Sequence, residues 1–566
     1  YRPQGSGVAL STLGVGSFSN HEIQLWLDRH GGFNLPNASY IGIEARVLDG
    51  AGNETIATSS LIRIPNGTSV PEEPEPVPVD AVSNVLFLPG IQGSRLYRAS
   101  DGCDPDQSNC TSHRIWIPGS AQDLQDLFLT PQGTSIEEVY TKEGDTINSV
   151  SVFKFYSSFA SQMSGLKSRG TITDWQSVPY DWRLSPDDIV HNGTMAGTGI
   201  DYTQATTTPY IEATLKRLAV SSQTGKVSII AHSAGGLVTK ALLEKLGDTE
   251  TARLVNKIIF IGVPQSGAPQ ALAGLLHGYG SALPADWCAT WYVVGAFCSK
   301  DVSRAEARAL GENMPMAYHL LPSAPYFRDT TRSLISFAGD SLSEERTRYG
   351  ATIDSVEELV SFGTALDGGR AHPARTDLAT PNVLNAHLLA SGRDTHTTLD
   401  VWTPPASVQV YQVAGWGADT LSGIMYYDAP LGTSNQTRYR PRFTEAGDET
   451  VPTQSALMMP TNTNVEQYWV DMKEAGGFEP LGGPSHANLL EVDELRTFIL
   501  TALRGVPEES DIVRSTEPSA SNVRKLLITF HGPVTATITN RDGASTTVFE
   551  SGSSETGIAG SQASPF

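Results

Sequence analysis

The stretch Val227-Ser228-Ile229-Ile230-Ala231-His232-Ser233-Ala234-Gly235-Gly236-Leu237 decides how the chain is read. Its first four residues form a short β-branched run of the kind that makes a buried strand. A helix is predicted from Leu237 to about Leu246. Only a tight turn fits between the two, with Ser233 at its apex. Such a turn is strained and crowded, so small residues are needed two before and two after the serine. Ala231 and Gly235 meet that need, with alanine standing where the pattern usually has a leading glycine. A serine presented on a strand–turn–helix is exposed for nucleophilic attack. The plain alternative is a connecting loop with an incidental serine.

Working outward, Val85-Leu86-Phe87-Leu88, Lys257-Ile258-Ile259-Phe260-Ile261 and Val408-Gln409-Val410-Tyr411-Gln412-Val413 are further short apolar strands. Helical spacing covers residues 151–166 and 204–221, and a last helix is predicted over 488–503. Continuous apolar strands separated by helices predict an α/β fold, a mostly parallel sheet covered by helices on both faces. Residues 269–406 show helical pieces, many aromatics, Gly and Pro, and no clear sheet strand. That insertion is too long for a connecting loop and is expected to form a large cap over the sheet.

The flanks differ. Residues 1–68 alternate apolar and polar around a hairpin loop at Asp49-Gly50-Ala51-Gly52-Asn53, as expected of a small β-sandwich of immunoglobulin type. Residues 69–83 hold Pro71-Glu72-Glu73-Pro74-Glu75-Pro76, an extended linker. The catalytic domain is expected over 84–505, a second linker over 506–522 and a C-terminal β module over 523–566.

Acidic residues outnumber basic ones 61 to 39, a formal charge of −22, which is the wrong sign for a nucleic-acid partner or for electrostatic docking on anionic lipid. Apolar, peripheral contact with a lipid surface stays open. No run approaches about 20 uninterrupted apolar residues, so no membrane-spanning helix is predicted. The chain starts at Tyr1 rather than Met and is expected to be a mature or trimmed piece of something longer. Its four cysteines fall in two local pairs, Cys103 with Cys110 and Cys288 with Cys298. They read as two disulfides in an extracellular or cell-surface protein, with four free thiols as the alternative and three connectivities open. No zinc pattern occurs.

A serine needs a base and the base needs an orienting acid. In α/β-hydrolases the chain order is serine, acid, histidine. After the late strand at 408–413 the histidines are His486 and His531. His486 lies in the loop before the last helix, where this topology presents its base; His531 lies in the C-terminal module. Asp448, in Ala446-Gly447-Asp448-Glu449-Thr450, is the candidate acid and Glu449 the alternative. His232 is expected to pack or position rather than react. Two oxyanion donors are expected, the backbone N–H of Ala234 and that of Ile91 in Leu88-Pro89-Gly90-Ile91-Gln92-Gly93-Ser94.

Five ordered motifs now stand together: Phe87 to Ser94, Pro179-Tyr180-Asp181-Trp182-Arg183, Ala231 to Gly236, Gly447-Asp448-Glu449-Thr450-Val451-Pro452 and Ser485-His486. In that order they resemble the lecithin:cholesterol acyltransferase family of the α/β-hydrolase superfamily, over about 84–505. The resemblance implies a Ser233–Asp448–His486 triad with Ile91 and Ala234 at the oxyanion. It implies a lid over about 99–130, closed between Cys103 and Cys110, with Trp116 touching substrate. It also implies that Asp181 and Trp182 line the pocket, although the charges of that loop fit a structural ion-pair network equally well. The lid loop is short and acidic where a lipid-inserting lid is apolar. Asp104, Asp106 and Asn109 there offer calcium ligands, but a solvated turn is preferred and no metal is expected. Trp291, inside the apolar Cys288–Cys298 loop, is a further substrate-contact candidate, against a reading of that loop as cap core.

The expected activity is hydrolysis of acyl esters, lipid or other, through an acyl-enzyme and without a cofactor. An acyltransferase using the same residues is the first alternative. A surface adhesion protein with a vestigial hydrolase domain, its β modules holding a cell envelope or polymer, is the second.

Overall fold

The computed structural model describes residues 81–98, 113–150, 153–279, 302–330, 332–366, 369–431, 434–475 and 484–519. It adds short strand segments between 40 and 63 and between 535 and 556. Two compact units result, Tyr1–Val79 and Asp80–Phe566. In the first, Glu44–Leu48 pairs antiparallel with Glu54–Thr58, and Tyr40–Ile41 with Ile62–Arg63. The rest of the expected sandwich, most of the proline-rich linker and the predicted strand at 525–530 lie outside the described residues.

The second unit has the α/β-hydrolase fold. Its central sheet has seven strands: β1 (Asn84–Leu88), β2 (Trp175–Ser177), β3 (Val227–His232), β4 (Val255–Ile261), β5 (Gln409–Trp416), β6 (Val465–Asp471) and β7 (Val513–Arg514). They lie in the order β2-β1-β3-β4-β5-β6-β7. All neighbours run parallel except β6 and β7. Every residue of β1 and β3 is buried, as a central parallel strand requires. Each fully buried Ile, Leu or Val there is worth roughly 1.5–3 kcal/mol.

Helices α1 (Ser157–Ser168), α2 (Tyr210–Ser221) and α3 (Gly235–Leu246) follow in the first half of the domain. α2 packs on β1, β2 and β3, and α3 on β1 and β3. α3 begins at Gly235, two residues earlier than predicted, and α1 begins six residues later than the spacing implied. Residues 199–205, predicted helical in part, form a strand instead.

The insertion after β4 holds α4 (Pro269–His277) and α5 (Arg304–Gly311), and the domain closes with α6 (Asp493–Leu503). The expectation that the cap lacks sheet strands is wrong. Ile335–Ala338 pairs antiparallel with Thr352–Ile353 and parallel with Thr420–Leu431, which in turn pairs with Ser434–Thr444. The cap sheet therefore draws strands from both sides of β5 in sequence. His277 at the end of α4 fastens helix to hairpin: it stacks on Tyr439 at 3.8 Å and its Nε2 lies 2.8 Å from the Tyr426 hydroxyl. Among the described residues no helix is long and apolar enough to cross a membrane.

Candidate active site

Strand β3 ends at His232 and the chain turns at once. Ser233 has φ 52°, a left-handed conformation that L-residues adopt only under constraint. Its N–H is held by the Ile261 carbonyl at 3.0 Å. The turn is so close to β1 that a Cβ on Gly235 would lie 2.5 Å from the Leu88 carbonyl oxygen, which is why glycine stands there.

Ser233 Oγ lies 2.8 Å from His486 Nε2, and His486 Nδ1 lies 2.7 Å from Asp448 Oδ2. A carboxylate only accepts, so Nδ1 carries the proton and Nε2 is free to accept from the serine hydroxyl. His486 opens a 3-10 helix, His486–Glu491, that starts with a capping box between Ser485 and Asn488. Asp448 is fully buried. Its second oxygen accepts from the N–H groups of Val451 at 2.7 Å and Thr450 at 3.1 Å, so the carboxylate is fixed in one orientation.

The loop after β1 passes over the serine. A Cβ on Gly90 would lie 2.9 Å from that of Ser233. Gln92 takes φ 63°, the Gly93 N–H donates to the Gly90 carbonyl, and the Trp116 indole N–H donates to the Gln92 carbonyl at 3.0 Å. Among the described residues neither the Ile91 nor the Ala234 N–H has an intramolecular partner.

His232 is buried and neutral: burial, then the nearby His486, hold its pKa down to about 3. Its Nε2–H donates to the His486 carbonyl at 2.9 Å, leaving Nδ1 to accept from the Tyr156 hydroxyl at 2.9 Å. The Tyr156 oxygen in turn accepts from the Gly90 N–H at 3.1 Å. Tyr156 sits just before α1, within the 151–166 span of helical spacing. A hydroxyl among the apolar residues of that span was the available signal.

These groups line a cleft of about 390 Å³. One wall is apolar, with Ala271 and Leu275 of α4, Ala307 of α5, Met314 and Leu320. The lining also includes Ile91, Gln92, Trp116, Glu449, Thr450 and Ser485. A larger cavity, about 930 Å³, opens among the cap segments around Leu359, His396 and Trp402. It contains none of the reacting groups, so the smaller cleft is the candidate site.

Trp116 lines this cleft. Asp181 and Trp182 are not in its lining, and their contacts fit the ion-pair reading of that loop in place of the pocket reading. Asp181 forms a buried two-pronged ion pair with Arg183, at 2.7 and 2.9 Å, and the Trp182 indole N–H donates to the Ser94 carbonyl. Arg183 also donates to the Leu127 carbonyl and the Ser135 hydroxyl, so this loop is a structural brace. Trp291 and the four cysteines, Cys103, Cys110, Cys288 and Cys298, lie outside the described residues, as do Asp104, Asp106 and Asn109. Among the described residues no group of His, Cys, Asp and Glu is placed to hold a metal.

Compared with known protein families, the chain matches the one described as Lecithin:cholesterol acyltransferase over residues 145–492. That span includes Ser233, Asp448 and His486. No curated protein matches. Among solved structures, the chain is similar to one from "The crystal structure of Tle4-Tli4 complex", with a TM-score of 0.40 and 14% identity. The similarity covers 75% of this chain and 97% of that one, at a level that carries no functional argument.

Proposed function

The chain belongs to the lecithin:cholesterol acyltransferase family, whose members cleave or transfer acyl esters, and on that premise we propose that it is a serine carboxylic-ester hydrolase. Ser233 Oγ attacks the ester carbonyl carbon while His486 Nε2 takes its proton. Asp448 holds the ring in the reacting tautomer and stabilises the imidazolium; it keeps its own charge. The Ile91 and Ala234 N–H groups receive the oxyanion, the second at the positive end of α3. The intermediate collapses, His486 protonates the leaving alkoxide, and an acyl-Ser233 remains. Water, deprotonated by His486, then releases the acid and restores the serine. The acyl chain lies along the apolar wall of α4 and α5.

The observation that carries this reading is the unbroken Ser233–His486–Asp448 hydrogen-bond series opening onto that cleft. The test is hydrolysis of p-nitrophenyl esters from acetyl to palmitoyl, with and without an added acceptor alcohol. Ser233→Ala removes several orders of magnitude in rate and Asp448→Asn about 10⁴. Full activity in the serine variant overturns the reading. Acyl transfer to the alcohol in preference to water assigns the chain to transfer instead of hydrolysis. The same reading sets the protein in an oxidising, extracytoplasmic compartment, because two local cysteine pairs suit one. Peptide mapping without reductant tests those pairs.

A further inference from the structure

Glu449 follows the candidate acid and stands on the wall of the cleft. Its backbone has φ 82°, a region that favours glycine and strains any other residue. The Thr420 hydroxyl holds it there, accepting from the Glu449 N–H at 2.9 Å. Among the described residues the Glu449 carboxyl has neither a hydrogen bond nor an ion pair. No Lys or Arg lines the cleft among the described residues; of the lining groups, His486 acts on Glu449 in the stabilising sense, while Asp448 and Asp419 act against it. A strained position thus presents a carboxyl without a hydrogen bond or ion pair on the lining of the cleft that also holds Ser233.

We propose that Glu449 is a charge filter on the alcohol half of the substrate: esters of cationic alcohols are accepted in preference to matched esters of anionic ones. This rests on the reading of the cleft as an acyl-ester site. The apolar part of the lining suits the acyl chain, and on this reading the alcohol moiety is the part of the substrate that meets Glu449. A positive charge there gains a carboxylate partner that no lining Lys or Arg already occupies, whereas a negative one meets that carboxylate with no Lys or Arg in the lining to offset it. Glu449 is exposed as a residue, while the protein around its carboxyl still strips part of its solvent. That burial, then Asp448, raise its pKa to about 7; His486 lowers it and Asp419 adds to the rise. The carboxylate form therefore dominates at pH 8.

The test uses three butyrate esters of similar shape, followed by pH-stat at pH 8 and low salt. They are butyrylcholine, its uncharged 3,3-dimethylbutyl analogue and 3-sulfopropyl butyrate. In the wild-type chain kcat/KM falls in that order. The cation-to-anion ratio, each normalised to the uncharged ester on the same protein, drops about tenfold or more in Glu449→Gln. Glu449→Gly, which suits the backbone at this position, gives the same loss and guards against a folding defect. A ratio unchanged in both variants, with Ser233-dependent cleavage of the uncharged ester intact, overturns the filter and leaves the hydrolase reading standing. No Ser233-dependent cleavage of the uncharged ester overturns both.

Discussion

His232, the residue before the candidate nucleophile, donates a hydrogen bond to the backbone carbonyl of His486, the candidate base. The serine turn and the base loop are thereby joined by a second link that does not involve the reacting atoms. Through Tyr156 the same link reaches Gly90 and the loop that carries Ile91. One buried path fixes three parts of the site against one another, and each donor and acceptor along it is matched.

Tyr156→Phe breaks that path. It leaves the Gly90 N–H and His232 Nδ1 unpaired, a loss of about 1–3 kcal/mol for each buried group. We expect kcat on a short p-nitrophenyl ester to fall roughly 10- to 100-fold, with KM nearly unchanged, because the loop moves relative to the serine rather than away from the substrate. A purely structural tyrosine would lower the unfolding midpoint without altering kcat per folded molecule.

Asp181→Ala separates support from substrate binding. Arg183 is fully buried and would lose its only carboxylate partner among the described residues. Breaking such a pair costs about 3–5 kcal/mol. Urea unfolding is expected to show that loss, while KM for short esters stays within about twofold of wild type. A large rise in KM at unchanged stability would return Asp181 to the pocket.

Ala271→Phe narrows the apolar wall from α4. Because Ala271 is only partly buried, the ring enters the cleft rather than the packed core. The preferred acyl length is expected to shorten, with decanoyl esters losing about tenfold relative to butyryl esters. An unchanged chain-length profile would place the acyl chain elsewhere.

Lys240 of α3 is buried, and burial pulls its pKa down to about 7, with Asp400 acting in the opposite sense. Between about pH 7 and the ordinary lysine value near 10.4, the unfolded chain binds the extra proton and the folded one does not. Stability therefore rises with pH across that window. Lys240→Met removes the dependence. At pH 7 it is expected to stabilise the fold by an amount on the order of 3 kcal/mol, and the gap to wild type should close toward pH 10. Urea midpoints at the two pH values check this.

The residues of the reacting series were legible because each lies where local chemistry is explicit. Ser233 follows a β-branched strand and precedes paired glycines, Asp448 sits in a Gly-Asp turn, and His486 directly precedes a helical stretch. Other parts of the sheet were hidden. β2 has three residues, too few for a period, and β6 mixes Glu466 and Gln467 into a strand only partly buried. Ile335–Ala338 is a strand because of the Thr420–Leu431 partner it meets, which lies more than eighty residues further along. The family resemblance put Asp181 and Trp182 in the pocket, while the charges of their loop fitted a structural ion-pair network equally well. Their true partners, Arg183 and the Ser94 carbonyl, become apparent only once the loop has folded back. The oxyanion loop and the serine were readable separately; the Tyr156–His232 path between them was not, since it joins residues 76 apart.

The cap sheet interleaves chain from before β5 with chain from after it, and its last strand, Ser434–Thr444, runs on within four residues to Asp448. Such a cap is not a cassette. It cannot be excised or exchanged by a single cut and splice, because removing either half strips the other of its edge partner and disturbs the acid turn. Swapping in a relative's cap would mean transplanting two distant segments together. Diversification of this enzyme should therefore proceed by point changes along the cleft walls, in side chains such as Ala271 and Glu449, with the covering architecture inherited whole.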